Sequence, residues 1–395
     1  MRNIPPAIAN WVSGNPESYI GPLVDALLSG VYDPFEKVKL IHDWIADHIR
    51  YNFEGFLSGN LGDNTWSGVL RSGVSVCAGY ANLFDRMCML GGIESKVVSG
   101  FSKGYGFDPF SVADRDSNHA WNAVKILGHW YLVDVTWDSG YINYFGQNVK
   151  DYSTEYLFAY PEEFLYSHFP ESASDQLLDK PLSWESFCSL PDLDRAFFDY
   201  GLALIDEVTG AVFRTEKTFK LEISCPNNVA LTASVYDVKG RVIDQATFVQ
   251  RNGEHATVLA SFPGLGNYRV VLFAKKPGVK PDRYESVISI AVEYSGADNA
   301  MPAYPLLYDS YYEMGCELIS PLAGIVTRGS EMEFSIRIPG GREASFASGK
   351  TRFSLQKKSD EIFVYSGPAP GGSELTIFAL DKGNRWAGIL RYMIQ

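Results

Sequence analysis

Three side chains of this 395-residue chain have the types and spacing for nucleophilic catalysis. Cys77 stands at the predicted start of a helix, CAGYANLFDRMCML (77–90), which Gly91-Gly92 stops. A helix N-terminus carries unpaired N–H groups and about half a positive charge, and both favour a thiolate. His119 opens one β run, HAWNAVKI (119–126). Asp134 lies in a second, WYLVDVTW (130–137), and a short Gly-containing turn joins the two. Opposed residues of an antiparallel pair have a constant index sum. A turn at Leu127-Gly128 gives 255 and one at Ile126-Leu127 gives 253. Both sums are odd, as is that of His119 and Asp134, so the two side chains share a face. They are direct or diagonal neighbours, within reach of a hydrogen bond unless a bulge intervenes.

Together these residues suit a Cys-His-Asp triad. Cys77 is the candidate thiolate nucleophile. His119 is its base and later the acid for a leaving amine, and Asp134 orients and stabilises the imidazolium. The first N–H groups of the helix are candidates for an oxyanion hole. The product is a thioester acyl-enzyme, resolved by water or by an amine. Taken singly, each residue also has a structural reading. A Cys at a helix start is often a small core residue, and a strand His is often a satisfied one. Asp134, between Val133 and Val135, also reads as a turn-facing polar residue. Only the joint spacing carries the case.

Other polar clusters suggest less. His42, Asp43, Asp47 and His48 fall on the polar side of a helix whose apolar side is Val38, Ile41, Ile45 and Ile49. No HExxH occurs, so a solvated face is expected there rather than a metal site. The Gly-bearing stretch 101–118 has no phosphate-binding pattern and reads as a lid or a surface loop. Its DRDSN segment (114–118) lacks EF-hand spacing, so no calcium requirement is inferred. No cofactor and no metal are expected.

The elements that must position these residues form an N-terminal α+β region. Asp33-Pro34-Phe35-Glu36 has the capping-box spacing of a helix start. Beyond about residue 212 the texture becomes short β runs separated by turns such as Lys239-Gly240 and Asn252-Gly253. A break at 296–305 is followed by a second series of the same kind. The expected organisation is a core domain over 1–170, a connecting segment over 171–211, and β-sandwiches over 212–298 and 305–395, the two sandwiches forming a distant internal repeat.

Composition excludes several classes. Hydrophobic residues at 46% and charged residues at 21% argue for a globular chain. The net charge of −13 is concentrated at the front: residues 1–210 hold 13 basic and 28 acidic side chains. That disfavours a nucleic-acid partner, which needs clustered Lys and Arg. No apolar run reaches the ~18 residues of a membrane span. The segment MRNIPPAIANW has no signal-peptide core, although a trimmed signal would restore export. Cys77, Cys88, Cys188, Cys225 and Cys316 are scattered and odd in number, which points to reduced thiols and a cytoplasmic setting.

The segments VCAGYANLF (76–84), NHAWNAV (118–124) and WYLVDVTWD (130–138) resemble the three motif blocks of the transglutaminase-like core, in that family's order. The match is to the kyphoscoliosis peptidase/hillarin branch. The resemblance implies a papain-like/transglutaminase-like fold followed by immunoglobulin-like sandwiches. It also implies the roles already given to Cys77, His119 and Asp134. Asn118 and Trp121 would shape the cleft; family members can add an upstream aromatic or amide side chain to the oxyanion hole, for which Trp66 and Asn52 are candidates that no local motif fixes, so neither joins the catalytic set. Asn122 competes with Asp134 for the third role, and Asp134 matches the family block. The implied activity is peptidase or protein-glutamine acyl transfer on a protein or peptide substrate. The alternative is a non-catalytic protein-binding module. Under either, the β domains would recognise protein or carbohydrate.

Overall fold

The computed structural model describes residues 15–111, 116–142, 147–205, 212–276, 283–296, 303–380 and 383–395. The N-terminal MRNIPPAIANW segment and part of the 101–118 stretch lie outside them. Two compact units emerge, Met1–Cys188 and Ser189–Gln395.

The first unit begins with α1 (Pro16–Leu28) and α2 (Pro34–His48). Next come β1 (Arg50–Tyr51), α3 (Phe53–Ser58), α4 (Trp66–Ser72), β2 (Val74–Ser75) and α5 (Cys77–Leu90). The sheet strands β3 (Glu94–Ser102), β4 (His119–Ile126) and β5 (His129–Val133) follow, then α6 (Val135–Asp138). β6 (Gly140–Ile142), β7 (Asn148–Lys150), β8 (Leu157–Ala159), α7 (Pro161–Phe164) and β9 (His168–Pro170) complete it. The main sheet is antiparallel with order β8-β5-β4-β3-β9.

Local chemistry explains the helices that matter. The Asp33 carboxylate accepts the N–H of Phe35 at 3.0 Å and Pro34 takes the first helical position, as the capping pattern predicts. Val38, Ile41, Ile45 and Ile49 are buried in one core with Tyr80, Leu83, Phe84 and Met87 of α5 and Val124, Ile126 and Val133 of the sheet. Each fully buried aliphatic or aromatic side chain contributes roughly 1.5–3 kcal/mol. That core clamps α5 to the sheet. Gly79 permits the close approach of α5 to its lead-in, since a Cβ there would stand 1.9 Å from Ser75 Oγ.

The polar side of α2 departs from expectation. His42 is buried, not solvated: its Nε2 lies 2.9 Å from Asp138 Oδ2 and its Nδ1 3.1 Å from Asp43 Oδ1. The carboxylate that covers it arrives from α6, 96 residues away in sequence, so helical periodicity alone could not show it. Burial lowers the affinity of His42 for a proton, but Asp138 and Asp43 outweigh that and raise its pKa.

The second unit contains two sandwiches with the same strand order. In the first, a sheet of 192–193, 285–294, 266–275, 230–237 and 242–243 faces one of 203–204, 219–224, 255–260 and 247–252. In the second, 306–307, 386–394, 374–380, 344–348 and 351–354 face 317–320, 331–337, 362–368 and 356–357. Even the added parallel strand recurs, 212–215 on 285–294 and 325–326 on 386–394. The shared order supports the internal repeat. Gly240 and Gly253 take positive φ at the two expected turns. One boundary shifts: strands 192–193 and 203–204, assigned to the connecting segment 171–211, pair into the first sandwich. They are two-residue edge strands, too short to show alternation.

We predict that His42→Ala destabilises the first unit by about 2–4 kcal/mol, because buried Asp138 loses its imidazole and keeps only Ser153 and the Tyr156 N–H. A raised histidine pKa contributes stability that is full below the unfolded value and lost as pH rises through the folded one. The deficit measured by urea unfolding should therefore shrink as pH is raised. A loss below ~0.5 kcal/mol would contradict the pairing.

Candidate active site

The hairpin that carries His119 has the longer of the two expected registers. Asn122 faces Val133 and Ile126 faces His129, an index sum of 255, with Leu127 and Gly128 both at positive φ in the turn. The second run ends as a strand sooner than expected. β5 stops at Val133, and Asp134 is the N-cap of α6, its Oδ1 accepting the N–H of Thr136 at 2.8 Å and of Trp137 at 3.2 Å. Asp is a preferred cap because it satisfies the orphan N–H groups of the first turn, and here that preference overrides the β-branched residues around it. Asp134 thus lies outside the strand pairing on which the same-face expectation rests, yet the two side chains do meet: His119 Nε2 lies 2.6 Å from Asp134 Oδ2.

Cys77 is the first residue of α5. The N-cap, Val76, offers no side-chain cap to the first N–H groups of the helix. The thiol meets His119 and the backbone N–H of Ala120. With Nε2 of His119 turned to Asp134, Nδ1 is left for the sulfur. Burial raises the Cys77 thiol, but the His119 hydrogen bond and charge and the Ala120 N–H more than offset this, leaving its pKa lowered. The other four thiols all go the other way. Burial pushes Cys88 well above its ordinary value, Cys225 to about 11 and Cys316 to about 12, and raises Cys188. All five are free cysteines. Against its own burial, His119 is raised by Asp134 and Cys77, and Asp134 is lowered by His119 and His168.

Two neighbours escaped the sequence reading. His168, the first residue of β9, places Nε2 3.1 Å from the same Asp134 Oδ2. Tyr51 of β1 lies within electrostatic reach of Cys77 and Asp134. Burial first, then those negative charges, raise its phenol, which stays a protonated donor. β1 runs parallel to β2, with Tyr51 opposite Ser75, two residues before the thiol. Both are non-local; no sequence spacing marks them.

The remaining candidates have structural duties. Asn52 caps α3 through the N–H of Gly55 at 3.1 Å, and Trp66 opens α4 beneath the Arg86 guanidinium, 5.3 Å from the ring centroid. Asn118 brackets Ser102, accepting its N–H at 2.7 Å and donating to its carbonyl at 3.1 Å. Asn122 donates to Ala81 O at 3.0 Å, away from the imidazole's partner. Among the described residues, His119, Asp134 and His168 bring three metal-type ligand atoms within 4.8 Å. Both imidazoles already direct Nε2 at one carboxylate oxygen, an arrangement that hydrogen bonding accounts for.

Iodoacetamide at neutral pH should alkylate Cys77 at least about tenfold faster than any other cysteine, since reactivity follows thiolate content. His119→Ala should remove that advantage. Peptide mass mapping of the adducts reads both; uniform slow labelling in the wild type would contradict the lowered thiol.

A family model described as the transglutaminase-like superfamily matches residues 22–135, and one described as a KY-like, immunoglobulin-like domain matches residues 184–305. Kyphoscoliosis peptidase of Mus musculus is 29% identical over 93% of this chain and 54% of its own length. Hillarin of Drosophila melanogaster is 30% identical over 53% of this chain and 27% of its own. The Lim and transglutaminase domain protein ltd-1 of Caenorhabditis elegans is 30% identical over 51% and 29%. The chain thus spans about half the length of the first relative and under a third of the others. No helix among the described residues is long and apolar enough to cross a membrane. The chain thus carries a transglutaminase-like core ahead of immunoglobulin-like sandwiches, and it is similar to kyphoscoliosis peptidase and hillarin.

Proposed function

We propose that the first unit is a cysteine-dependent acyl-transfer enzyme acting on amides of proteins. Cys77 is the nucleophile, His119 the base and then the acid, and Asp134 the orienting carboxylate. The observation that carries this reading is the contrast among the five thiols: only the one at a helix N-terminus, beside an imidazole held by a carboxylate, is lowered.

The steps follow from the side chains. The thiolate attacks an amide carbonyl carbon, and the carbonyl electron pair moves onto oxygen. The Cys77 and Ala78 N–H groups at the start of α5, with the Tyr51 hydroxyl, are the donors proposed for that oxyanion. His119 passes its proton to the departing nitrogen, the C–N bond breaks, and a thioester remains on Cys77. Water attack makes the enzyme a peptidase or deamidase; attack by an amine makes it a transglutaminase. His119 takes the proton of whichever nucleophile enters.

A second reading, a protein-binding module, is favoured by the 8% exposure of Cys77, which leaves little of it open to a substrate. The sandwiches would serve recognition of protein or carbohydrate in both readings.

Incubation with casein and a fluorescent primary amine separates these outcomes. Release of peptides or ammonia indicates hydrolysis, and amine incorporation indicates transfer. Cys77→Ala should abolish either. Tyr51→Phe should lower turnover ~100–1,000-fold, the scale of one lost oxyanion donor, while leaving Cys77 alkylation near the wild-type rate. No turnover in the wild type on casein or peptide amides, with full labelling by iodoacetamide, would favour the binding module.

A further inference from the structure

His168 takes no part in the steps above, yet it is one of the most constrained side chains in the first unit. It is fully buried, and both ring nitrogens are engaged, Nδ1 with Ser167 Oγ at 2.8 Å and Nε2 with Asp134 Oδ2 at 3.1 Å. Aromatic rings enclose it: Phe164 at 4.0 Å, Trp137 at 4.4 Å, Trp121 at 5.1 Å and Tyr156 at 5.6 Å between centroids. Its strand is pinned as well. β9 pairs with β3, and Gly100 of β3 has no room for a Cβ, which would lie 2.3 Å from Phe169 O and 2.5 Å from Trp121 Cη2. Gly100 sits opposite His119 in the neighbouring pairing. One tight crossing therefore sets both imidazoles.

A histidine kept only for packing needs a hydrogen-bond partner, but not this one. The oxygen it meets is the one His119 uses. Asp134 Oδ1 is held by two backbone N–H groups, so the carboxylate's remaining freedom is to turn about the held oxygen and displace Oδ2. A second donor on Oδ2 opposes that turn. We infer that His168 is a positioning residue: it holds Asp134 Oδ2 beneath His119 and thereby sets how much of Cys77 is thiolate, without touching substrate. The inference rests on the proposed Cys77-His119-Asp134 reading.

His168 also stays constant while its neighbours change state. Burial first, and the charge of His119 in addition, lower it to about 4, so it remains a neutral donor across the working range. The titratable groups that face this cluster are Cys77 from α5, His119 from β4, Tyr51 from β1, Asp134 at the start of α6, and Tyr156 before β8.

The test is the pH dependence of Cys77 alkylation by iodoacetamide in the full chain, read by mass spectrometry between pH ~4 and ~9. The wild type should show an inflection well below that of an ordinary thiol. His168→Phe fits the aromatic enclosure but cannot donate. It should move the inflection up by about one unit, so that labelling at pH ~6 falls up to about tenfold. His168→Gln keeps a donor nitrogen and should stay within about twofold of wild type. If H168F does not fold, Ser167→Ala, which removes the partner of Nδ1, should raise the inflection by about half a unit. A variant curve that overlays the wild type, or moves the other way, overturns the role of His168 and leaves the triad reading intact. A wild-type thiol that titrates at its ordinary value removes both.

Discussion

A single buried carboxylate organises this unit. Asp134 is almost completely inaccessible, and its two oxygens accept four hydrogen bonds: two backbone N–H groups on Oδ1 and two imidazoles on Oδ2. Taking a charge out of water costs several kcal/mol, and only a full set of partners offsets it. Those partners come from β4, α6 and β9, so the carboxylate cannot be satisfied unless all three are in place. Its lowered pKa means the contribution to stability is present above the ordinary carboxylate value and is lost as pH falls through the folded one. For His119, raised, the contribution is full below the ordinary histidine value and lost as pH rises through the folded one.

The same short helix links this carboxylate to a second couple. Asp134 caps the start of α6 and Asp138 closes it, where His42 of α2 and the N–H of Tyr156 meet the second carboxylate. The helical layer and the sheet are thus joined through two His-Asp contacts four residues apart. The apolar core shared by α2, α5 and the sheet brings Cys77 to this polar seam. Packing provides the energy, and the two carboxylates fix the geometry within it.

How much of this could be read in the chain depends on the range of the interaction. Cys77 at a helix start is a local feature, and so is the hairpin that brings His119 and Asp134 near each other, although Asp134 reaches the imidazole from just beyond the paired register. The extended runs of both sandwiches were legible because alternation and Gly-bearing turns are local too. Val133, Val135 and Thr136 are β formers and favour a strand through Asp134, whereas capping by the carboxylate prevails. His42 lies on the polar side of its helix, where a solvated residue is expected, and nothing local marks His168 or Tyr51. Each of these acquires meaning from residues far along the chain, and a single sequence carries no mark of that proximity.

The proposed chemistry requires that a carboxylate hold an imidazolium beside a thiolate, and that pairing has a direct signature. It can be read without any substrate, from the ring nitrogens of selectively 15N-labelled histidines followed by NMR as pH is raised. His119, assigned by its substitution, should remain protonated on both nitrogens at pH ~8.5, while His168 is neutral throughout. A His119 ring that loses its proton near pH ~6.5, like an unperturbed histidine, would contradict it.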